Sequence, residues 1–498
     1  MSSEQVKIRI IGPPGCGKTK TLLDLLEQEI YEGTATDRIA FLTFTRAARE
    51  EALSRTGKTA EEFPYLKTIH SICYHQLAIG KDQIVRPQEL GSFGKKLGLR
   101  ITGATHDPWI EEFDRGIDQP TRDDILIQVN HHGRHRKIML REALQNISPE
   151  IDYKYAVWFT KAYRSWKDAN GYLDYTDLLA KYIEYGKPLD VDVLFVDEAQ
   201  DLSALQWEAV FKLAQNAKVF YLAGDDDQSI FQWAGADAHV FQDIEVSDTR
   251  VLSQSHRVSK AVRKAAMRVV SRIRKRLPKE YSPTDSEGEV LNAGALGTIN
   301  FRENSFILFR NHYRGAAIVQ QLRDDKIPFV GRGSVLNDSS VRMAFYGFHS
   351  LLRNGKIDSR IMKHFLRYAD EDYLQGGLRE LAKTHKEIDI NRVFIEIPKP
   401  QIWHKVLGKM TVGDELFELV RNNGFLRVAT PKVEVLSIHQ SKGREANTVY
   451  IDPEMSKASW LGMLANPDDE HRVWYVGLTR AKEKIYFLMP DGHYNYRF

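Results

Sequence analysis

Cysteine is nearly absent: the 498 residues hold only Cys16 and Cys73. Two thiols cannot build a disulfide framework or a four-cysteine zinc site, so the chain reads as a protein of the cytoplasm or another reducing compartment. No stretch of about 20 apolar residues is present, which excludes a helix that crosses a bilayer and leaves no membrane role. The opening MSSEQVKIRI lacks a basic region followed by an apolar run, and reads as carrying no secretory signal. Nor is charge of one sign in excess. With 70 Lys+Arg against 67 Asp+Glu the balance is +3, so net charge points to no polyanionic partner and any phosphate-binding surface must be local. Repeats and low-complexity tracts are missing too. What is present is a globular composition, 42% hydrophobic and 28% charged, long enough for three or four domains at about 150 residues each.

The chain opens on a β-branched run, Val6 to Ile11, followed by a glycine-rich turn and a helix from about Lys18 to Tyr31. A second apolar strand, Ile39 to Thr43, precedes another helix, and this βαβα order argues for a parallel sheet covered by helices. Between about 85 and 185 the apolar positions recur at helical spacing, as in Ala156, Phe159, Tyr163 and Trp166, which predicts a mainly helical insertion. Strands return at Val193 to Val196 and Val219 to Ala223. A second α/β block is read from Val251, with strands at Ser305 to Phe309, Val433 to Ile438, Val449 to Ile451 and Lys484 to Leu488, and a second helical insertion over 337–429.

Gly12-Pro-Pro-Gly15-Cys-Gly17-Lys18-Thr19 fits G-x-x-x-x-G-K-[ST] between a strand and a helix. Glycines let backbone N–H groups turn inward around phosphate oxygens, and the helix N-terminus adds the positive end of its dipole. Lys18 then reaches the β- and γ-phosphates and Thr19 holds Mg²⁺. By itself this loop fits a kinase, a GTPase or a motor. The run Leu194-Phe-Val196 ends in Asp197-Glu198-Ala-Gln-Asp201, which puts carboxylates at the C-terminal edge of a buried parallel strand. There Asp197 would hold Mg²⁺ and Glu198 would orient or deprotonate the attacking water.

Together these two segments resemble superfamily 1 helicases, and the remaining motifs resemble the UvrD/Rep/PcrA branch. Thr43-Phe-Thr-Arg-Ala-Ala48 is similar to motif Ia, Thr68-Ile-His-Ser71 to Ib, and Leu173-Asp-Tyr-Thr-Asp-Leu178 to the stretch before motif II. Gly224-Asp-Asp-Asp-Gln-Ser-Ile-Phe-Gln-Trp-Ala-Gly-Ala236 resembles motif III, Ser255-His-Arg-Val258 motif IV, Ile438-His-Gln-Ser-Lys-Gly-Arg-Glu445 motif V and Tyr475-Val-Gly-Leu-Thr-Arg-Ala481 motif VI.

The resemblance implies two RecA-like P-loop domains with parallel sheets, each carrying a mainly helical insertion. The first domain takes 1–84 and 186–250 with its insertion at 85–185. The second takes 251–336 and 430–498 with a reduced insertion at 337–429. It implies ATP and Mg²⁺ as cofactors, Gln228 as γ-phosphate sensor, Arg257 and Arg480 as arginine fingers, and Glu445 as acceptor for the ribose. Phe44 and Trp233 would stack on bases, while Thr45, His70 and His439 would contact the DNA backbone. The implied activity is ATP-dependent unwinding by a monomer that travels 3′→5′ on single-stranded DNA, in replication, repair or recombination. One alternative is a translocase that strips proteins from DNA and unwinds weakly. A remote one is another P-loop enzyme such as a nucleotide kinase.

The chain departs from the family in places. Gly12 follows the first residue too closely to leave room for the usual glutamine motif, His256 stands where a tyrosine stacks on adenine, and Ala234 replaces an arginine after Trp233. The second insertion is short, and the sequence stops soon after motif VI. Two basic stretches, His131 to Lys137 and Arg263 to Lys279, are candidates for tracking phosphates or for plain solvated faces.

Overall fold

Residues 5–43, 46–102, 121–294, 296–299, 301, 303–410 and 413–498 are described by a computed structural model. The short apolar runs become strands buried on both faces, as parallel strands under helices must be. The first unit holds β1 (Val6–Ile11), β2 (Ile39–Leu42), β3 (Leu66–Lys67), β4 (Val193–Val196) and β5 (Val219–Gly224), with a polar, exposed edge strand β6 (Asp248–Val251). They form one six-stranded sheet in the order β3-β2-β4-β5-β1-β6, and every pairing is parallel. Period-two alternation splits the buried strands between two cores. Val193 and Phe195 of β4 join Ile8, Ile10, Leu22 and Phe41 on one face. Leu194 and Val196 join Leu42, Leu178, Trp207 and Leu222 on the other.

The second unit repeats the plan with β7 (Glu289–Asn292), β8 (Ser305–Phe309), β9 (Phe329–Val330), β12 (Val433–Ser437), β13 (Ala446–Ile451) and β14 (Ala481–Phe487). Their order is β7-β14-β13-β8-β12-β9, again all parallel. A separate antiparallel pair, β10 (Lys356–Asp358) and β11 (Glu387–Asp389), lies within the mainly helical 339–429 stretch. The α/β class with two parallel sheets agrees with the sequence reading.

Between the strands, 87–185 is helical where described, with its own core of Phe93, Leu126, Leu144, Phe159 and Tyr163. The stretch 339–429 likewise has a core built on Phe345, Phe348, Phe365 and Trp403. The compact units divide as Met1–Ser286 with Ala465–Val476, and Glu287–Leu464 with Gly477–Phe498. Val251, where the sequence reading opened the second block, is the last residue of β6, which pairs with β1. This edge strand is polar and exposed throughout, so no hydrophobic pattern marks it.

Among the described residues, no helix is long and apolar enough to cross a membrane.

Candidate active site

Three neighbouring strands of the first sheet, β4, β5 and β1, end at the same edge. Each delivers one part of the candidate nucleotide site there, outside the carboxyl ends of the strands. After β1 the chain turns through Gly15 and Gly17, both at positive φ (75° and 82°), into the helix Lys18–Tyr31. Side chains are excluded at two points of this loop. A Cβ on Gly12 would lie 2.3 Å from Cys16 Sγ, and one on Gly15 would lie 2.3 Å from Cβ of Arg257. Lys18 is buried, and its Nζ donates to the Gly12 carbonyl at 2.8 Å.

The end of β4 supplies the carboxylates. The Thr19 hydroxyl donates to Asp197 Oδ2 at 2.7 Å. Burial, and then the neighbouring Glu198, push the Asp197 carboxyl up to about 6, with Thr19 and Lys18 pulling the other way. A buried carboxylate beside a hydroxyl is a hard oxygen donor set of the kind Mg²⁺ takes. Thr19 and Asp197 therefore fit that ion. Bound there, it would neutralise charge on the β- and γ-phosphate oxygens. Glu198 follows in a left-handed conformation, φ 47°, which is uncommon outside glycine.

From β5 comes Gly224-Asp225-Asp226-Asp227-Gln228. The Gln228 amide donates to Asp225 Oδ2 at 2.7 Å. Gln200 ties this turn to the β4 end: its Oε1 accepts from the Asp225 N–H at 2.9 Å, and its Nε2 donates to Glu198 Oε2 at 2.6 Å. One side chain thus ties the candidate base to Asp225, whose carboxylate holds the candidate γ-phosphate sensor. Sequence reasoning quoted Gln200 within its motif but gave it no role, because a bridging amide leaves no signature in spacing.

The segment after β6 closes over the loop. Ser255 Oγ donates to the Pro14 carbonyl at 2.7 Å, and the His256 N–H donates to the Gly15 carbonyl at 2.9 Å. Ser255 Oγ also accepts from the Arg257 N–H at 3.3 Å. Arg257 therefore sits directly on the phosphate loop, and the His256 ring is exposed beside it.

Comparison with known proteins adds to this geometry. Residues 1–247 match the UvrD/REP helicase N-terminal domain, and residues 378–490 match the UvrD-like helicase C-terminal domain. The chain belongs to the UvrD/Rep/PcrA helicases of superfamily 1. Among individual members, it is similar to a probable DNA helicase II homolog of Mycoplasma capricolum, 24% identical with 98% of this chain and 83% of the relative covered. It is also similar to ATP-dependent DNA helicase Rep of Buchnera aphidicola, 23% identical over 96% of this chain and 92% of that protein. ATP-dependent DNA helicase PcrA of Leuconostoc citreum is 25% identical over 78% of this chain, which spans half of that protein.

Other residues assigned through this family fall in several places. Arg480 and Glu445 lie in the second unit. The Arg480 guanidinium is buried and donates to the Arg444 carbonyl at 3.2 Å, and Glu445 pairs with Lys482 at 2.5 Å. His439 follows β12 at the C-terminal edge of the second sheet. Phe44 and Thr45 lie outside the described residues.

Trp233 is half-buried in the turn Gln232–Ala234, its ring edge-on to Phe231 at 6.4 Å. That turn is held by the helix Arg122–Arg136: His132 Nδ1 meets the Trp233 carbonyl at 3.0 Å. His70 packs edge-on against Tyr175. Its Nε2 is shielded and has no hydrogen-bond partner, and burial pulls the ring down to about 4, so it is neutral.

The run His131–Lys137 is an internal network rather than a phosphate track. His131 bonds Thr176, His135 bonds Ser203, Arg134 pairs with Asp174 and Asp177, Arg136 pairs with Asp237 and Lys137 pairs with Glu208. The two aspartates also form the capping box of the helix Tyr175–Tyr185, which gives the Leu173–Leu178 motif a structural basis. In the second basic run Arg276 and Lys279 are turned inward onto Asp225–Asp227, while Arg274 and Lys275 pair with Asp468 and Asp243 at the surface.

Proposed function

We propose that this family member couples ATP hydrolysis to 3′→5′ movement on single-stranded DNA and so unwinds duplex DNA in replication, repair or recombination. The observation that carries the reading is the gathering of Lys18, Thr19, Asp197, Glu198 and Gln228 at one sheet edge, with Gln200 tying Glu198 to Asp225, the residue that holds the Gln228 amide. This is the set that phosphoryl transfer needs: a phosphate cradle, oxygen donors for the metal, a carboxylate for the water and a group that reads the γ-phosphate. Lys18 binds the β- and γ-phosphates, Glu198 positions and deprotonates the attacking water, and Arg257 and Arg480 meet charge spread over the transferring oxygens. Thr19 and Asp197 would hold Mg²⁺, which would supply charge neutralisation at the phosphates.

On the DNA side, Trp233 and Phe44 offer faces on which bases stack without sequence preference, and Thr45, His70 and His439 contact the backbone. The small 339–429 insertion favours a second reading, a translocase that displaces bound proteins and unwinds weakly. ATP turnover and strand separation on 3′-tailed, 5′-tailed, forked and blunt duplexes test the first reading. It expects DNA-stimulated turnover and unwinding from 3′ tails. Turnover indifferent to DNA overturns it, and protein displacement without strand separation selects the second.

A further inference from the structure

Asp225, Asp226 and Asp227 are fully buried. They are the one trio of acids among the described residues close enough to share a cation. A cation is already there. The Lys279 ammonium, its side chain 1% exposed, lies 3.1 Å from Asp225, 2.5 Å from Asp226 and 2.8 Å from Asp227. Arg276 adds a fork on Asp227 at 2.9 and 2.5 Å, and the Leu277 N–H and Gln242 amide both donate to Asp226 Oδ2 at 2.8 Å. Burial alone would depress the Lys279 amine, but the three carboxylates outweigh it and hold it above its ordinary value. Asp225 in turn is held below the usual carboxylate range by Lys279 and Lys18 against the pull of burial. Three buried carboxylates without this amine would repel one another and rearrange or take up protons.

The three acids are not equivalent. Asp226 and Asp227 face the 275–279 segment. Asp225 uses one oxygen for Lys279 and the other for Gln228 Nε2, while its N–H meets the Gln200 amide that holds Glu198. Lys279 also lies close along the chain to Ser282, whose N–H and carbonyl bond Ser253 and Ser255 beside Arg257. The amine therefore touches no phosphate-binding group, yet it fixes the carboxylate from which Gln228 hangs.

We propose that the Lys279–Asp225 ion pair is a positioning device for hydrolysis: it sets the orientation of Gln228 and, through Gln200, of Glu198, without taking part in nucleotide binding. The proposal rests on the ATPase reading above. A small displacement of such groups is costly to turnover, because catalysis depends on alignment to within about 1 Å.

The test measures single-stranded-DNA-stimulated kcat, and the Kd for a fluorescent ATP analogue, in wild type, Lys279→Met, Asp225→Asn and the double variant, with thermal melts to establish folding. Expected is a kcat about a hundredfold lower in Lys279→Met, an ATP-analogue Kd within about threefold of wild type, and a double variant no worse than the weaker single one. If Lys279→Met does not fold, Asp225→Asn carries the test, since it is isosteric and leaves the lysine two acids. A folded Lys279→Met or an Asp225→Asn protein with wild-type kcat overturns the proposal, as does an equal loss of kcat and nucleotide affinity. Wild-type protein without turnover overturns the ATPase reading and this proposal with it. Turnover in wild type with unchanged variants overturns this proposal alone.

Discussion

The two parallel sheets share a plan but not the chemistry of their edges. Beyond the strand ends of the first lie a glycine loop, Asp197, Glu198 and the Asp225–Asp227 turn. At the corresponding edge of the second, β8 runs into Arg310 and His312, β9 into Arg332, and β12 into His439 and Lys442. Burial, and then the nearby Arg332 and Arg310, pull His312 below its ordinary value. The acids of that edge, Asp452 and Glu454, are taken up by Arg314. A six-stranded parallel sheet therefore does not by itself dictate what is bound. The loops at its carboxyl edge do, and the same scaffold carries the candidate nucleotide site in one unit and a basic rim in the other.

The sharpest way to break this contrast is at the first edge. Lys18→Ala should lower ATP turnover at least about a thousandfold, while the Kd for single-stranded DNA stays within about threefold of wild type. Fluorescence anisotropy with labelled oligonucleotide and a coupled ATPase assay read the two effects side by side. Near-normal turnover would remove Lys18 from the site.

A smaller effect tests whether the second unit contributes to the reaction or only to binding. Arg480→Ala should reduce kcat by about 10²–10³-fold, well beyond any change in ATP affinity, since a guanidinium that meets charge formed during transfer acts mainly on the transition state. Equal losses in both would make Arg480 a ground-state ligand and blur the distinction between the units.

Within the first unit, Trp233→Ala should weaken single-stranded DNA binding by about 1–3 kcal/mol with little dependence on base sequence. ATP hydrolysed per base pair opened should rise. A variant that unwinds like wild type would leave Trp233 as packing between Phe231 and the helix that carries His132.

The smallest expected difference is between nucleotides. In the proposed site Lys18, Thr19, Arg257, Arg480 and Glu445 would meet phosphates and ribose, and His256 would offer a stacking face that does not discriminate bases. GTP and dATP should therefore support DNA-stimulated hydrolysis within about tenfold of ATP, roughly 1.4 kcal/mol. A preference for ATP over GTP beyond about a hundredfold in kcat/KM would reveal a group that reads the adenine edge.

Features made of neighbouring residues were the legible ones. β1, β4, β5, β8 and β12 show as apolar runs because both faces are covered. β6 is polar and exposed, β3 and β9 have two residues each, and β10 and β11 three, too few to set a period. The same rule holds in the site. Gly12 to Thr19 and Asp197 to Gln200 are contiguous, and their chemistry is legible before any fold is known. Lys279 meets Asp226 across 53 positions, and nothing local tells a cation that closes a buried acid cluster from one that faces water. His131 to Lys137 misleads for the same reason: a dense basic run looks like a phosphate track or a solvated face, yet tertiary packing gives His131, His132, Arg134, His135 and Arg136 partners within the fold.

The positive φ of Glu198 has a consequence for anyone improving this protein by selection. Glu198 is one of four non-glycine residues with positive φ among the described residues. A glycine there would relieve backbone strain of about 1 kcal/mol. A screen that rewards only heat resistance or soluble yield would thus enrich Glu198→Gly and discard the carboxylate assigned to the attacking water. Libraries at this position need an activity gate, and a hardened variant recovered without one is expected to have gained its robustness by losing turnover.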